Sequence, residues 1–332
     1  MTMTTVLVTG ASGFIAKHIV RELLENDYTV CASVRSQRGR DQLTALFPDA
    51  QLTFVTLDLM KDDGWAEAFE GVDVLLHTAS PFPSEAPTDP EELIRPAVDG
   101  TMRALQAAHS AGVRRVVLTS SCAAIYKDKT KPKMAISTRD NWTDPTGPDT
   151  AAYEASKTLA ERAAWDFVAL HPEMKLTTIN PGGVFGPPMD EHFGASLFYI
   201  EQFLSGGLPG VPHMNAPGVD VRDVARMHVR AIDNEATVGL RFPAVAGVEY
   251  LVDLTKTLKE AYPDHKIPTR ELPSWLLRFT SLFIPVLRAA TNDLGRNMAV
   301  VGTDAPEVMG FEYIPLHESV RASAQFLVEQ GK

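Results

Sequence analysis

Tyr153-Glu154-Ala155-Ser156-Lys157 places a tyrosine and a lysine four residues apart. On a helix two such residues share one face. An ammonium beside a phenol favours the phenolate and draws its pKa toward working pH. The pair can then pass a proton to or from a substrate oxygen. Upstream, Thr119-Ser120-Ser121 closes the apolar run Val116-Val117-Leu118. A serine hydroxyl there could hydrogen-bond a reacting carbonyl, and the residues alone leave Ser120 and Ser121 both open.

A third motif would hold a nucleotide. Thr9-Gly10-Ala11-Ser12-Gly13-Phe14-Ile15-Ala16 follows the apolar run Val6-Leu7-Val8 and opens a stretch with Ile15, Ile19 and Leu23 at helical spacing. Gly10 permits a tight turn. Gly13 lets backbone approach a pyrophosphate, which rests on the helix N-terminus where free N–H groups and the dipole favour anions. Ala16 is small enough for close packing of helix on strand. The spacing is Gly-x-x-Gly-x-x-Ala rather than Gly-x-Gly-x-x-Gly. Its place between first strand and first helix makes it a phosphate loop rather than an ordinary turn.

The end of the second strand reads Ser33-Val34-Arg35-Ser36-Gln37-Arg38-Gly39-Arg40 and contains no acid. A ribose 2′-hydroxyl is usually held by Asp or Glu at that place. Arg35 is placed instead to meet a 2′-phosphate, with Arg38 or Arg40 as a second contact, so NADP(H) is the expected cofactor. The bland alternative is a solvated, basic helix start. Asp58-Leu59, after the third strand, falls where adenine is contacted. Thr78-Ala79-Ser80, after the fourth, would pass beside the ribose and the pyrophosphate.

Other chemistries lose support. The nine histidines show no metal-ligand spacing, so no metal is expected. Ser120-Ser121 lacks the Gly-x-Ser-x-Gly elbow. Cys31 lies within the second strand and reads as a small buried residue; Cys122 has no His or Asp placed to make it a nucleophile. Two cysteines cannot build a disulfide framework.

These motifs need elements to position them. Strands are expected at Tyr28–Val34, Leu52–Leu57, Val72–His77, Val116–Leu118 and Leu176–Ile179, after Val6–Val8. Helices are expected at Leu93–Ala111 and Tyr153–Leu170, with a short one at Trp65 and Phe69. This alternation predicts an α/β fold, a doubly wound parallel sheet of Rossmann type. After Asn180 the pattern weakens into a Pro- and Gly-rich stretch up to Gly218. A helix at Val221–Ile232 and a short strand near Leu240–Ala244 follow. The expected division is a cofactor domain over 1–182 with a segment returning near 218–246, and a smaller C-terminal substrate lobe from 183–217 and 247–332.

The whole chain has 332 residues, 45% hydrophobic and 22% charged, which are globular values. The formal charge of −11 argues against nucleic acid and against a basic membrane-surface protein. No signal peptide is read at the N-terminus, and Leu276–Ala290 is broken by Arg278, Pro285 and Arg288, so no membrane span and a cytoplasmic location are expected. Trp275, Leu276, Leu277, Phe279 and Phe283 read as core or as a wall of the substrate lobe.

From Thr5 to about Val229 the chain resembles the extended short-chain dehydrogenase/reductase family, and within it the dihydroflavonol 4-reductase group with its cinnamoyl-CoA and carbonyl reductases. The residues that carry this are Val8 to Ala16, Val34-Arg35, Thr119-Ser120-Ser121, Asn141-Trp142-Thr143-Asp144 and Tyr153 to Glu161, with Ala163-Ala164-Trp165 after it. The resemblance implies Ser121 as the catalytic serine, Tyr153 as general acid, and Lys157 as ribose ligand and tuner of the tyrosine. It implies Pro181-Gly182-Gly183-Val184 beside the nicotinamide, Ser196 as a further cofactor contact, and Arg35 with Arg40 on the 2′-phosphate. Ala97-Val98-Asp99-Gly100-Thr101 replaces the Asn-Val-x-Gly-Thr of epimerase relatives, which favours reductases. Tyr126 stands where flavonoid reductases carry an Asn.

The expected activity is NADPH-dependent reduction of a ketone or aldehyde to an alcohol. The alternatives are an NAD-dependent sugar-nucleotide epimerase or dehydratase, and a non-catalytic NADP(H) sensor. Ser80-Pro81-Phe82, Tyr126, Ser121, Met189–Phe203 and the late lobe would line the substrate, an apolar or aromatic carbonyl compound. Monomer and homodimer both remain open.

Overall fold

The computed structural model describes residues 3–81, 89–283, 291 and 293–331. Phe82 lies outside the described residues. The first six strands and their helices follow in order: β1 (Thr5–Thr9), α1 (Phe14–Glu25), β2 (Thr29–Val34), α2 (Gln37–Leu46), β3 (Thr53–Thr56), α3 (Trp65–Ala68), β4 (Val74–His77), α4 (Glu91–Ser110), β5 (Arg115–Thr119), α5 (Ala152–Leu170) and β6 (Lys175–Pro181). The later part adds β7 (Gly183–Phe185), α6 (Ala195–Leu204), β8 (Val211–Pro212), β9 (Asn215–Asp220), α7 (Val221–Ile232), β10 (Arg241–Ala244), β11 (Gly247–Tyr250), α8 (Leu251–Ala261) and β12 (Glu271–Leu272). Helices Ser274–Thr280, Asp304–Met309 and Leu316–Glu329 follow.

The main sheet has seven strands in the order β10-β6-β5-β4-β1-β2-β3, every neighbour pair parallel. This is the doubly wound α/β architecture expected from the sequence. Burial on both faces explains the continuous apolar runs. Val6 and Val8 enter the core under α1 and α7, while Leu7 between them enters the core under α4 and α5. Full burial of a side chain such as Leu7 contributes about 1.5–3 kcal/mol. Strand order reverses between β1 and β4, which opens a crevice at their C-terminal ends.

The Pro- and Gly-rich stretch after Asn180 is more regular than its composition suggests. β7 and β9 pair in parallel, and β11 joins β9 antiparallel. The strands are too short for a periodic signal, and long-range pairing holds them. β8 and β12 form a second small pair. α6, α8 and Leu316–Glu329 enclose a separate core with Phe203, Leu254, Leu258 and Val320. The late aromatics correct the sequence expectation: Trp275, Phe279 and Phe283 are 71%, 57% and 73% exposed, and only Leu277 of that group is fully buried. Trp275 and Phe279 share one face of a two-turn helix whose other face packs through Leu277, and Phe283 lies just beyond its end. Among the described residues no helix is long and apolar enough to cross a membrane.

Candidate active site

The loop from β1 into α1 is held open by its glycines. Gly10 has φ +64°, and a Cβ there would lie 3.0 Å from the Ala79 backbone. Gly10 N–H donates to Ser33 Oγ at 3.1 Å, and Ala11 N–H to Ser33 O at 2.9 Å. Gly13 precedes α1 without a side-chain cap, and the first turn carries no acid. Its amides are therefore ready for an anion.

Thr9 staples the two strands that flank the crevice. Its Oγ1 accepts from Thr78 N–H and Ala79 N–H, each at 3.1 Å. Its proton then goes to His77 Nδ1 at 2.8 Å, which leaves the ring proton on Nε2. Burial pushes His77 down to about 3, so the ring is neutral.

A cavity of about 570 Å³ occupies the crevice. Gly10, Ser12, Gly13, Phe14, Arg35, Asp58, Leu59, Thr78, Ala79 and Ser80 line it, as the sequence places them. Ile15 instead packs against the core beneath. Arg35 is exposed at the end of β2, with no hydrogen bond or ion pair among the described residues. The basic stretch does start a helix: Ser36 caps α2, accepting from Gly39 N–H at 3.4 Å. That turn carries Arg40 away from the cavity, its guanidinium lying 4.9 Å from the centre of the Phe54 ring. Arg38 points the other way, and its Nη2 donates to His192 Nε2 at 3.1 Å.

His192, Phe193 and Gln42 also line this cavity, and no local motif announces them. His192 and Phe193 arrive from the segment between β7 and α6. Fully buried Lys17, on α1, anchors that segment: its ammonium donates to Asp190 and, at 2.9 Å, to the His192 carbonyl.

The catalytic candidates gather one strand further along. Ser121 follows β5 and its Oγ accepts from Ala123 N–H at 3.1 Å, capping a short turn. The same hydroxyl hydrogen-bonds Tyr153 and approaches the Pro181 carbonyl at 3.5 Å. Ser120 faces elsewhere, donating to buried Glu161 at 2.5 Å. Lys157 Nζ donates to Ser80 Oγ at 2.8 Å and lies 5.8 Å from the centre of the Tyr153 ring. Ser80 thus links this group to the nucleotide cavity.

The electrostatics differ from the sequence expectation at Tyr153. Burial raises its pKa, and the Ser121 hydrogen bond only partly opposes this. Lys157, with its Nζ 5.8 Å from the ring centre, does not outweigh this burial. The lysine's own charge is weakened by burial, which lowers it to about 8 against the pull of Glu161. Tyr153 is therefore a neutral phenol, the form that donates a proton.

Beyond β6, Gly182 packs so tightly that a Cβ would meet the Pro217 carbonyl at 2.4 Å. Gly183 opens β7, and Val184 N–H donates to Ser196 Oγ at 3.0 Å in the first turn of α6. None of Pro181, Gly182, Gly183, Val184 and Ser196 lines the large cavity; of these, Pro181 is the one whose carbonyl approaches Ser121. Tyr126 donates to Glu154 Oε1 at 3.3 Å. Glu154 also accepts from Lys127, whose buried ammonium pairs with Asp293 at 2.7 Å. Burial raises both thiols, Cys31 to about 11, and leaves them inert.

Under this edge lies a buried charge network. Glu161 takes hydrogen bonds from Ser120, Thr178, Asn180 and Trp165, and pairs with Arg241 of β10 at 2.6 Å. The Arg241 guanidinium also lies 3.6 Å from the centre of the Trp142 ring.

A family model described as the NAD dependent epimerase/dehydratase family matches residues 6–241. An NADPH-dependent methylglyoxal reductase of Saccharomyces cerevisiae is 30% identical over 99% of both chains. Cinnamoyl-CoA reductase 1 of Arabidopsis thaliana is 33% identical over 80% of this chain and 77% of its own. The crystal structure of a yeast methylglyoxal/isovaleraldehyde reductase with NADPH superposes with a TM-score of 0.82, at 31% identity and 99% coverage of both chains. With the loop, the crevice and the Ser-Tyr-Lys group in place, the chain belongs to the NAD dependent epimerase/dehydratase family, on the side of its cinnamoyl-CoA and methylglyoxal reductases.

Proposed function

We propose that the chain reduces a small apolar ketone or aldehyde to an alcohol with NADPH. The observation that carries this is the neutral Tyr153 phenol hydrogen-bonded to Ser121, with Lys157 beside it. The crevice fits a dinucleotide: a glycine cradle that a Cβ would fill, an uncapped helix start free of acid, and an arginine where an acid would select NAD. That last feature speaks against the NAD-dependent epimerase reading. When bound, NADPH supplies hydride to the carbonyl carbon. Gly10, Ser12, Gly13 and the start of α1 would hold the pyrophosphate, and Arg35 the 2′-phosphate. Asp58-Leu59 would meet the adenine, and Ser80 and Lys157 the nicotinamide ribose.

Ser121 Oγ–H would turn from the tyrosine to the substrate oxygen and fix its position. Tyr153 Oη–H would give that oxygen its proton as negative charge develops. Lys157, kept cationic below about pH 8, would stabilise the phenolate left behind. Tyr126, tied to Glu154 beside this group, is proposed as a wall of the substrate site. The test is NADPH oxidation with a panel of ketones, aldehydes and diketones. Tyr153→Phe should lower turnover by about 10²–10⁴ while NADPH still binds. Unchanged turnover in that variant would overturn the mechanism.

A further inference from the structure

A second group of reactive side chains gathers at the opposite end of the sheet from the crevice. His109 lies in the last turn of α4, His171 caps the C-terminus of α5, and Glu173 sits in the turn that leads into β6. The His109 and His171 rings are 4.0 Å apart between centres, and His109 Nε2 is 2.7 Å from Glu173 Oε1. One ligating atom from each residue falls within 4.8 Å of the others, the one such group among the described residues. No spacing rule finds it, because His109 and Glu173 lie 64 positions apart.

We infer that His109, His171 and Glu173 form a binding site for a divalent cation of the zinc type. Two imidazoles and a carboxylate are a zinc donor set that leaves a coordination position for water. Ligand atoms around tetrahedral zinc stand about 3.3 Å apart, so the widest separation in the group must close by at most roughly 1.5 Å. His109 and His171 are half-buried and Glu173 is exposed, so side-chain rotation can supply this. A purely structural reading accounts for one His–Glu hydrogen bond and for ring contacts with Phe167. It leaves the ring nitrogens of His171 without a hydrogen bond among the described residues, beside His109 and Glu173. Arg114 donates to the His109 carbonyl at 3.3 Å, so one cation stands near the group and opposes a second. A bound ion would tie α4, α5 and the turn into β6 together. Lys157 lies 14 residues along α5 from His171, about 20 Å, so the ion takes no part in carbonyl chemistry.

The experiment is calorimetric titration of the chelator-treated full chain with Zn²⁺, with thermal unfolding alongside. One ion per chain should bind, more weakly at pH 6 than at pH 7.5 because imidazole must be neutral to ligate. At a hundredfold excess over Kd, the Tm should rise by about 4 °C. His109→Ala, or Glu173→Gln should the first variant fold poorly, should weaken binding at least ~10-fold and remove the Tm rise. NADPH oxidation should be unchanged in both variants. No binding by the parent chain, or equal binding by a His109→Ala/His171→Ala variant, would overturn the inference.

Discussion

Ser120 and Ser121 are neighbours in sequence, and the structure assigns them opposite fates. Ser121→Ala removes the hydroxyl that would position the substrate oxygen. Loss of one such preorganised donor costs about 2.7–4 kcal/mol of transition-state stabilisation, roughly 10²–10³ in kcat. Stability should change little, because the Ser121 side chain is only partly buried and what it gives up is one cap of a short turn. Ser120→Ala removes instead a buried hydrogen bond to the Glu161 carboxylate. Such bonds contribute about 1.5–3 kcal/mol. Glu161 keeps Arg241, Asn180 and Thr178 as partners, so the lower end applies. Unfolding entropy for 332 residues is about 0.7 kcal/mol per degree, which turns 1.5 kcal/mol into a Tm drop of about 2 °C. Steady-state NADPH oxidation and differential scanning calorimetry on the two variants separate the effects. The assignment fails if both serines lose kcat alike, or if Ser121→Ala retains full turnover.

Three further outcomes follow from the same geometry. Arg35→Ala should raise the KM for NADPH by roughly 10–100-fold, the loss of one charge-assisted contact, and leave that for NADH nearly unchanged; equal losses for both would place the 2′-phosphate elsewhere. Lys157 is protonated below its lowered value of about 8 and loses its charge above it, while Tyr153 keeps its proton. The kcat/KM for reduction should therefore fall as pH rises through about 8, and a profile flat to pH 9.5 would contradict this role for Lys157. Glu161→Ala leaves the Arg241 guanidinium buried and unpaired, at about 3–5 kcal/mol, so the Tm should fall by about 4–7 °C. An unchanged Tm would show that Trp142 and the carbonyls of Arg139 and Asn141, which accept from Arg241 Nη1 at 2.6 and 2.7 Å, suffice to hold Arg241.

What the sequence discloses follows from how locally each feature is built. Gly10 to Ala16 and Tyr153 to Lys157 are legible because their geometry is complete within one turn of chain. The main sheet is legible because two-sided burial writes continuous apolar runs. The choice between Ser120 and Ser121 is not legible from residue types, since adjacent residues of extended chain face opposite sides. It needs Glu161 on one side and Tyr153 on the other. Arg40 shows the limit of counting along a loop: two residues of helix beyond Arg38 turn it onto Phe54. His192, Gln42, the Glu161–Arg241 pair and the small sheet of β7, β9 and β11 depend on partners far along the chain.

The formal charge of −11 and a cavity suited to a phosphate-rich ligand are reconciled by placement. The acids near the crevice are already engaged. Asp190 is tied to Lys17, and Asp58 Oδ1 accepts from Met60 N–H at 2.9 Å. The basic groups at the rim are not spent in this way. Arg35 has no partner among the described residues, and Arg38 rests on the ring nitrogen of His192, which a phosphate can displace. With the uncapped first turn of α1 opening onto the same cavity, the unspent groups there favour an anion although the molecule is acidic. Net charge governs what approaches the surface at large. Selection at the crevice is set by which charges remain unpaired there.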